Sequence, residues 1–291
     1  MKLALIQQTG HENKKSALAE TYKGIQEAVK QGAELVLLQE LHAGNYFCQT
    51  EDINILDKAE PIPGETTEFL SKIAKEFNIV IVGSIFEKRA VGVYHNTAVV
   101  FEKDGSIAGK YRKMHIPDDP QYYEKYYFTP GDLGFKPIQT SVGKLGVLVC
   151  WDQWYPEAAR IMALNGADIL LYPTAIGWFT DNSEELKNDL VDAWVTVQRG
   201  HSIANCLPVA ACNRVGFEAD PSKVTEGLIF WGNSFITGAH GKIKAQASRE
   251  NPEVLVADID LNESRETRHI WPYFRDRRID AYQEILSRYV D

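Results

Sequence analysis

The stretch G-A-E-L-V-L-L-Q-E (residues 32–40) lies over G-A-D-I-L-L-Y-P-T (166–174) without a gap. Each copy opens on a glycine of the kind that stops a helix and continues as an apolar run of strand length. Upstream of the first copy, Ala17, Ala19, Tyr22, Ile25 and Ala28 recur at three-to-four-residue intervals and predict a helix over 16–31. Before that, Met1–Gln7 reads as a strand. The unit is strand–helix–strand, so its strands should be parallel with a right-handed crossover. Upstream of the second copy, K-L-G-V-L-V-C-W-D-Q-W-Y-P-E (144–157) repeats the plan. Leu145–Val149 predicts a buried strand and Pro156–Asn165 a helix, with Pro at a first-turn position that needs no N–H. Lys2-Leu3 pairs with Lys144-Leu145 at a slightly different offset. Two halves built alike imply a layered α/β fold with internal pseudo-symmetry and a site where strand ends converge.

Composition narrows the class of protein. The chain has 291 residues, 44% hydrophobic and 24% charged, and a net charge of −9. Such an acidic balance argues against nonspecific nucleic-acid binding, which needs a basic surface. No apolar run approaches membrane-spanning length, and residues 1–9 turn polar too soon for a signal peptide. The four cysteines, Cys48, Cys150, Cys206 and Cys212, form no Cys-x-x-Cys pair, which suggests neither a zinc ribbon nor a disulfide framework. A cytoplasmic protein of one domain, 1–291, is the expectation, since no linker or low-complexity segment interrupts it.

Between the two repeats, Pro63-Gly64-Glu65-Thr66 predicts the cap of a helix reaching Phe77, followed by the strand N-I-V-I-V-G-S-I-F. Asp104-Gly105 between two strand-like runs predicts a hairpin, which ends in Lys110, Arg112 and Lys113. Residues 117–134 form a long aromatic loop, a length that in a compact domain points to function. A helix over 183–205 should bury Leu186, Leu190, Ala193, Trp194, Val197 and Ile203. L-P-V-A-A-C-N-R-V reads as a strand. W-G-N-S-F-I-T-G and K-I-K-A-Q-A read as a hairpin, and E-V-L-V-A-D-I-D-L as a last strand. The tail, 263–291, mixes arginines with Glu263, Glu266, Asp276 and Asp280, a pattern for ion pairs at a subunit interface.

Cys150 stands where its strand's apolar pattern ends. Taken alone, a free cysteine is more often a small buried hydrophobe. A thiol hydrolase also needs a proton-transfer partner and donors for the developing oxyanion. None of the seven histidines stands in a helpful context. Glu40, an acid closing an apolar run, is costly there without a purpose and is the candidate base. Its other reading is a cap at the strand's end. Lys113, closing the hairpin, is the candidate cation, or else a solvated lysine.

Together, L-V-L-L-Q-E-L (35–41), K-Y-R-K-M-H-I-P (110–117) and G-V-L-V-C-W-D-Q-W-Y-P-E (146–157) resemble the nitrilase, or carbon–nitrogen hydrolase, superfamily. The resemblance runs from Met1 to the last strand; Gln39 replaces the proline usual before the glutamate. It implies a four-layer αββα sandwich, homo-oligomers that pair subunits through their sheets, and no metal or organic cofactor. It assigns Cys150 as nucleophile, Glu40 as proton relay, Lys113 with the Trp151 backbone N–H as oxyanion donors, and Glu124 as a further acid positioning substrate.

Relatives that act on N-carbamoyl amino acids carry arginines just after the cysteine, suited to clamping a carboxylate. Here those positions are Gln153 and Trp154. Asp118, Asp119, Asp152 and many aromatics suit a cationic end instead. N-Y-F-C-Q (45–49) and I-P-D-D-P-Q-Y-Y-E-K-Y-Y-F-T-P-G-D (116–132) resemble the N-carbamoylputrescine amidohydrolase branch. This implies a small cationic carbamoylated amine as substrate, with Tyr46, Trp151, Asp152 and Trp154 as oxyanion- or substrate-binding positions. Alternatives are an amidohydrolase for another N-carbamoyl amine or amino acid, a small aliphatic amidase, and an inactive assembly subunit.

Overall fold

A computed structural model describes residues 1–291. The first half runs β1 (Lys2–Gln7), α1 (Lys14–Lys30), β2 (Leu35–Leu38), α2 (Glu65–Phe77), β3 (Val80–Ala90), β4 (Val93–Phe101) and β5 (Ile107–Arg112). The middle holds α3 (Glu124–Tyr127), β6 (Ile138–Thr140), β7 (Gly143–Val147), α4 (Pro156–Leu164), β8 (Ile169–Pro173), β9 (Gly177–Phe179) and α5 (Glu184–Asn205). The chain closes with β10 (Val209–Cys212), β11 (Val215–Ala219), β12 (Gly227–Trp231), β13 (Phe235–Thr237), β14 (Ile243–Gln246), β15 (Glu253–Asp258) and α6 (Leu261–Ile270).

Two six-stranded sheets result, ordered β15-β1-β2-β3-β4-β5 and β6-β7-β8-β10-β13-β14. Position by position they correspond. In each, three parallel strands joined through helices are flanked by antiparallel strands. The aligned stretches 32–40 and 166–174 contain the equivalent strands β2 and β8, so the sequence repeat is a structural one. One apolar core of 36 residues joins the facing sheets, with Leu3, Leu5 and Val82 from one and Leu145, Leu171 and Ala210 from the other. On the outer face of the first sheet, Ile25 and Ala28 of α1 and Leu70 and Ile73 of α2 pack on Ala4, Val36 and Ile81. Ala158, Met162 and Trp194 of α4 and α5 cover the second sheet. The architecture is the four-layer αββα sandwich. Burial of strands on both faces explains their unbroken apolar runs.

Local signals account for the helix ends. Asn13 accepts from the Ser16 N–H at 2.9 Å to start α1, and Ser183 accepts from the Leu186 N–H at 3.2 Å to start α5. Asp104-Gly105 makes the β4–β5 turn, where Gly105 takes φ +86° against the Ser71 carbonyl, a place with no room for a side chain.

The structure corrects three expectations. Helix α5 buries Trp194 as expected but turns a more polar face inward beside it: Val195, Gln198, His201, Ser202 and Asn205 are buried, while Leu186 and Ile203 remain 43% and 46% exposed. Polar residues occupy the buried face because they bond across it; His201 Nε2 reaches the Gln153 carbonyl at 2.7 Å. The single strand expected over 207–215 is two, β10 and β11, divided at Asn213-Arg214. Trp231 ends β12 rather than opening a hairpin, and β12 joins β9 and β11 in a third sheet that periodicity did not disclose.

Candidate active site

β2 stops at Leu38, and two residues later Glu40 has left the sheet with its N–H on the Thr174 carbonyl, 3.3 Å away. These are the last residues of the two repeat copies, so the copies meet at the site. Leu41 then adopts φ +49°, a left-handed conformation costly for a branched side chain. Strand alternation sorts the β5 end. Tyr111 faces the core, and Arg112 turns to Glu87 with bonds of 2.8 and 2.6 Å. Lys113 turns inward again, its N–H held by the Asn96 carbonyl of β4 at 2.9 Å. Cys150 follows β7 and Leu148–Val149 at φ +42°, opening a short 3-10 turn over Cys150–Trp154. Its thiol points to the Ala175 carbonyl at 3.8 Å. Thr174 and Ala175, at the end of β8, therefore touch both the candidate base and the candidate nucleophile.

Lys113 Nζ stands 2.8 Å from Glu40 Oε1 and 2.6 Å from Glu124 Oε2, all three side chains buried. Asn96 Nδ2 donates to the same Glu40 oxygen at 2.7 Å. Glu40 Oε2 is buried with no protein partner. One oxygen is thus fixed and the other is free to take a proton. Glu124 accepts from the Tyr46 hydroxyl at 2.8 Å. Burial raises its carboxyl to about 7, with Glu40 adding to the rise and Lys113 opposing it. Burial also works against the charge of Lys113, but Glu124 and Glu40 outweigh it and hold the ammonium protonated. For Cys150, burial and then the charge of Glu40 push the thiol well above its ordinary range, against the pull of Lys113. The resting thiol is therefore protonated and needs a base to become a nucleophile.

Of the other expected positions, Tyr46 is brought to Glu124, and Tyr122 packs on its ring at 5.6 Å. Trp151 sits at the N-terminal end of the 3-10 turn, where backbone N–H groups lack intrahelical acceptors. Trp154 is half-buried against the core. Asp152 is corrected: it is fully buried and belongs to the scaffold. Its oxygens accept from the Tyr111 hydroxyl at 2.8 Å, the Val149 N–H at 2.9 Å and the His115 N–H at 3.1 Å. The His115 ring adds a fourth contact at 2.7 Å, so no oxygen is left for an amine. Asp118 and Asp119 lie exposed on the loop before Tyr122. Gln153 is buried, bonded to the Thr174 hydroxyl at 3.2 Å. No group of three His, Cys, Asp or Glu side chains is arranged to hold a metal ion.

Sequence reading missed Asn96, Ser84 and Arg214. The signal for Asn96 was a polar amide inside the strand H-N-T-A-V-V, where burial demands a partner. Ser84 Oγ accepts from the Leu41 N–H at 3.1 Å, and Arg214 binds the same turn from the other side.

This fold, with a buried Glu–Lys–Glu cluster around a thiol at paired strand ends, is that of a carbon–nitrogen hydrolase. The carbon-nitrogen hydrolase family profile matches residues 2–269, and the chain belongs to that family. It is 46% identical over 267 residues to the N-carbamoylputrescine amidase of Oryza sativa subsp. japonica, spanning 90% of this chain and 87% of that one. The citrullinase of Francisella tularensis subsp. tularensis is 42% identical over 291 residues, 99% of each chain. Among solved structures, a carbon-nitrogen hydrolase from Helicobacter pylori G27 superposes with a TM-score of 0.97 at 54% identity, covering 100% of this chain and 99% of that one.

Proposed function

We propose that this hydrolase cleaves the carbamoyl C–N bond of N-carbamoylputrescine with water, giving putrescine, carbon dioxide and ammonia. One observation carries the chemistry: the Lys113 ammonium joins two buried carboxylates, Glu40 and Glu124, whose charges all bear on the Cys150 thiol. Glu40 Oε2 takes the thiol proton as Sγ adds to the carbamoyl carbon. Lys113 and the Trp151 N–H stabilise the oxyanion. Glu40 returns the proton to the departing nitrogen, and the C–N bond breaks to leave a thioester. Glu40 then deprotonates a water that adds to the thioester carbon, the C–S bond breaks and Glu40 returns the proton to the Cys150 sulfur, and the carbamic acid released in the reaction loses carbon dioxide to give the remaining nitrogen product. Glu124, held by Tyr46 and Lys113, positions the substrate.

The substrate reading rests on the N-carbamoylputrescine amidases among the relatives and on the absence of an arginine at positions 153 and 154. A second reading, a citrullinase, is favoured by the full-length match to the Francisella enzyme. Ammonia release from N-carbamoylputrescine and from citrulline, at equal concentration, separates them; faster release from citrulline would overturn the first. Cys150→Ala should abolish turnover of either. A carbamoyl- or acyl-thioester on Cys150, detected by intact mass after rapid quench, excludes an inactive assembly subunit. The chain acts as one domain and as a homo-oligomer whose tail, 263–291, meets another copy. In support, Trp271, Leu286 and Tyr289 are 54%, 89% and 83% exposed.

A further inference from the structure

Arg214 is fully buried, and the glutamate four residues on, Glu218, is buried as well, at 5% exposure. Neither belongs to the cluster around the thiol. The guanidinium bonds to Glu218 Oε1 at 2.7 Å and to three backbone carbonyls: Gly44 at 2.8 Å, Leu41 at 2.9 Å and Glu40 itself at 3.1 Å. Its Cζ lies over the Phe230 ring, 5.5 Å from the ring centre. Glu218 uses its other oxygen to accept the Tyr46 N–H at 2.6 Å, and the Tyr46 hydroxyl holds Glu124. Gly10 packs so close to this carboxylate that a Cβ there would collide with Glu218 Oε1. The pair is therefore seated from both sides.

A buried ion pair is seldom retained for stability, because desolvation offsets most of its attraction. Here its bonds go to backbone that carries the chemistry. Glu40 leaves β2 through a turn whose Leu41 is in the strained left-handed region, and such a conformation persists only where the surroundings over-determine it. Ser84 holds the Leu41 N–H, and Arg214 holds the carbonyls on either side of that residue. A guanidinium with five N–H donors in a planar fork can meet all four of these acceptors at once; an ammonium has only three donors on a single atom.

We propose that Arg214, with Glu218, is a positioning residue that sets Glu40 through its backbone and Glu124 through Tyr46. One pair, Arg214 from the β10–β11 connection and Glu218 from β11, thereby aligns both carboxylates, which come from the end of β2 and from α3. This rests on Glu40 being the base, as proposed above.

The test compares Arg214→Lys, Arg214→Ala and Glu218→Gln with the wild type. A displacement of Glu40 by about 1 Å predicts a kcat loss of about 100-fold for Arg214→Lys, with KM nearly unchanged. Added guanidinium at non-denaturing concentration should restore part of the kcat of Arg214→Ala and none of that of Cys150→Ala. If Arg214→Ala does not fold, the other two variants decide. A folded Arg214→Lys with wild-type kcat, or a loss confined to KM, would overturn the assignment. The rate of Cys150 alkylation by iodoacetamide at pH 7, expected to fall with kcat, requires no substrate. A wild type that turns over neither carbamoyl compound would sink the substrate reading and leave this one to be judged on alkylation.

Discussion

Glu40 has one oxygen occupied twice and one unoccupied, and that asymmetry makes Asn96 a predicted determinant of rate. Asn96→Ala should leave Oε1 held by Lys113 alone, loosen the carboxylate and lower kcat by about 10- to 100-fold, with the melting temperature nearly kept, as steady-state kinetics and calorimetry would show. Cys150 presents a related case. It adopts φ +42°, which costs a non-glycine residue roughly 1–2 kcal/mol. Cys150→Gly should therefore offset part of the destabilisation from its lost side chain while abolishing activity. Chemical denaturation against Cys150→Ala checks this; a glycine variant clearly less stable than the alanine variant would contradict it. Neither the bond from Asn96 nor the strain at Cys150 was legible in the chain, because both depend on what lies across the fold.

At the scale of elements, the β3–β4–β5 meander carries Lys113 inward and Arg112 outward, and the outward side sets a pH dependence of stability. Burial opposes the charge of Glu87, but Arg112, Thr97 and Lys110 outweigh it and hold the carboxyl at about 2, below its ordinary 4.5. A depressed carboxyl contributes stability that is complete above about 4.5 and lost as pH falls toward 2. Glu87→Gln should cost about 3 kcal/mol at pH 7, because it leaves Arg112 without its buried partner, and should flatten that acid limb. Urea unfolding at pH 7, 5 and 3 measures both. The hairpin itself was readable from Asp104-Gly105 and the alternating runs around it. The buried face of α5 was not, because beyond Trp194 and Val195 its inward positions are polar, and His201 and Ser202 gain their place through bonds to Gln153, Leu207 and Gly238.

For the whole molecule, the tail is the part with the least cover. Beyond α6, Trp271, Ile279, Leu286 and Tyr289 stay exposed, and Arg275–Asp276 and Arg278–Asp280 pair locally at 2.8 and 2.6 Å. Exposed apolar and aromatic side chains in this density are what the proposed contact with another copy would cover. Deleting residues 271–291 should reduce the assembled mass measured by light scattering while the sandwich keeps its far-UV spectrum. An unchanged mass would remove the tail from the interface.

The chain alone determined the sandwich and the repeat, and its motifs pointed to Glu40, Lys113, Glu124 and Cys150 as the candidate site. Those features are local or periodic: strand runs, helix stops and polar residues at strand ends recur in order along the backbone. It did not determine Asp152 as scaffold, the small third sheet, or the Asn96, Ser84 and Arg214 supports. A buried polar group is defined by its partner, and these partners lie up to 174 residues away. Only the packed fold, by removing water from Glu40, Lys113, Glu124 and Cys150 together, made a set of polar residues into a site.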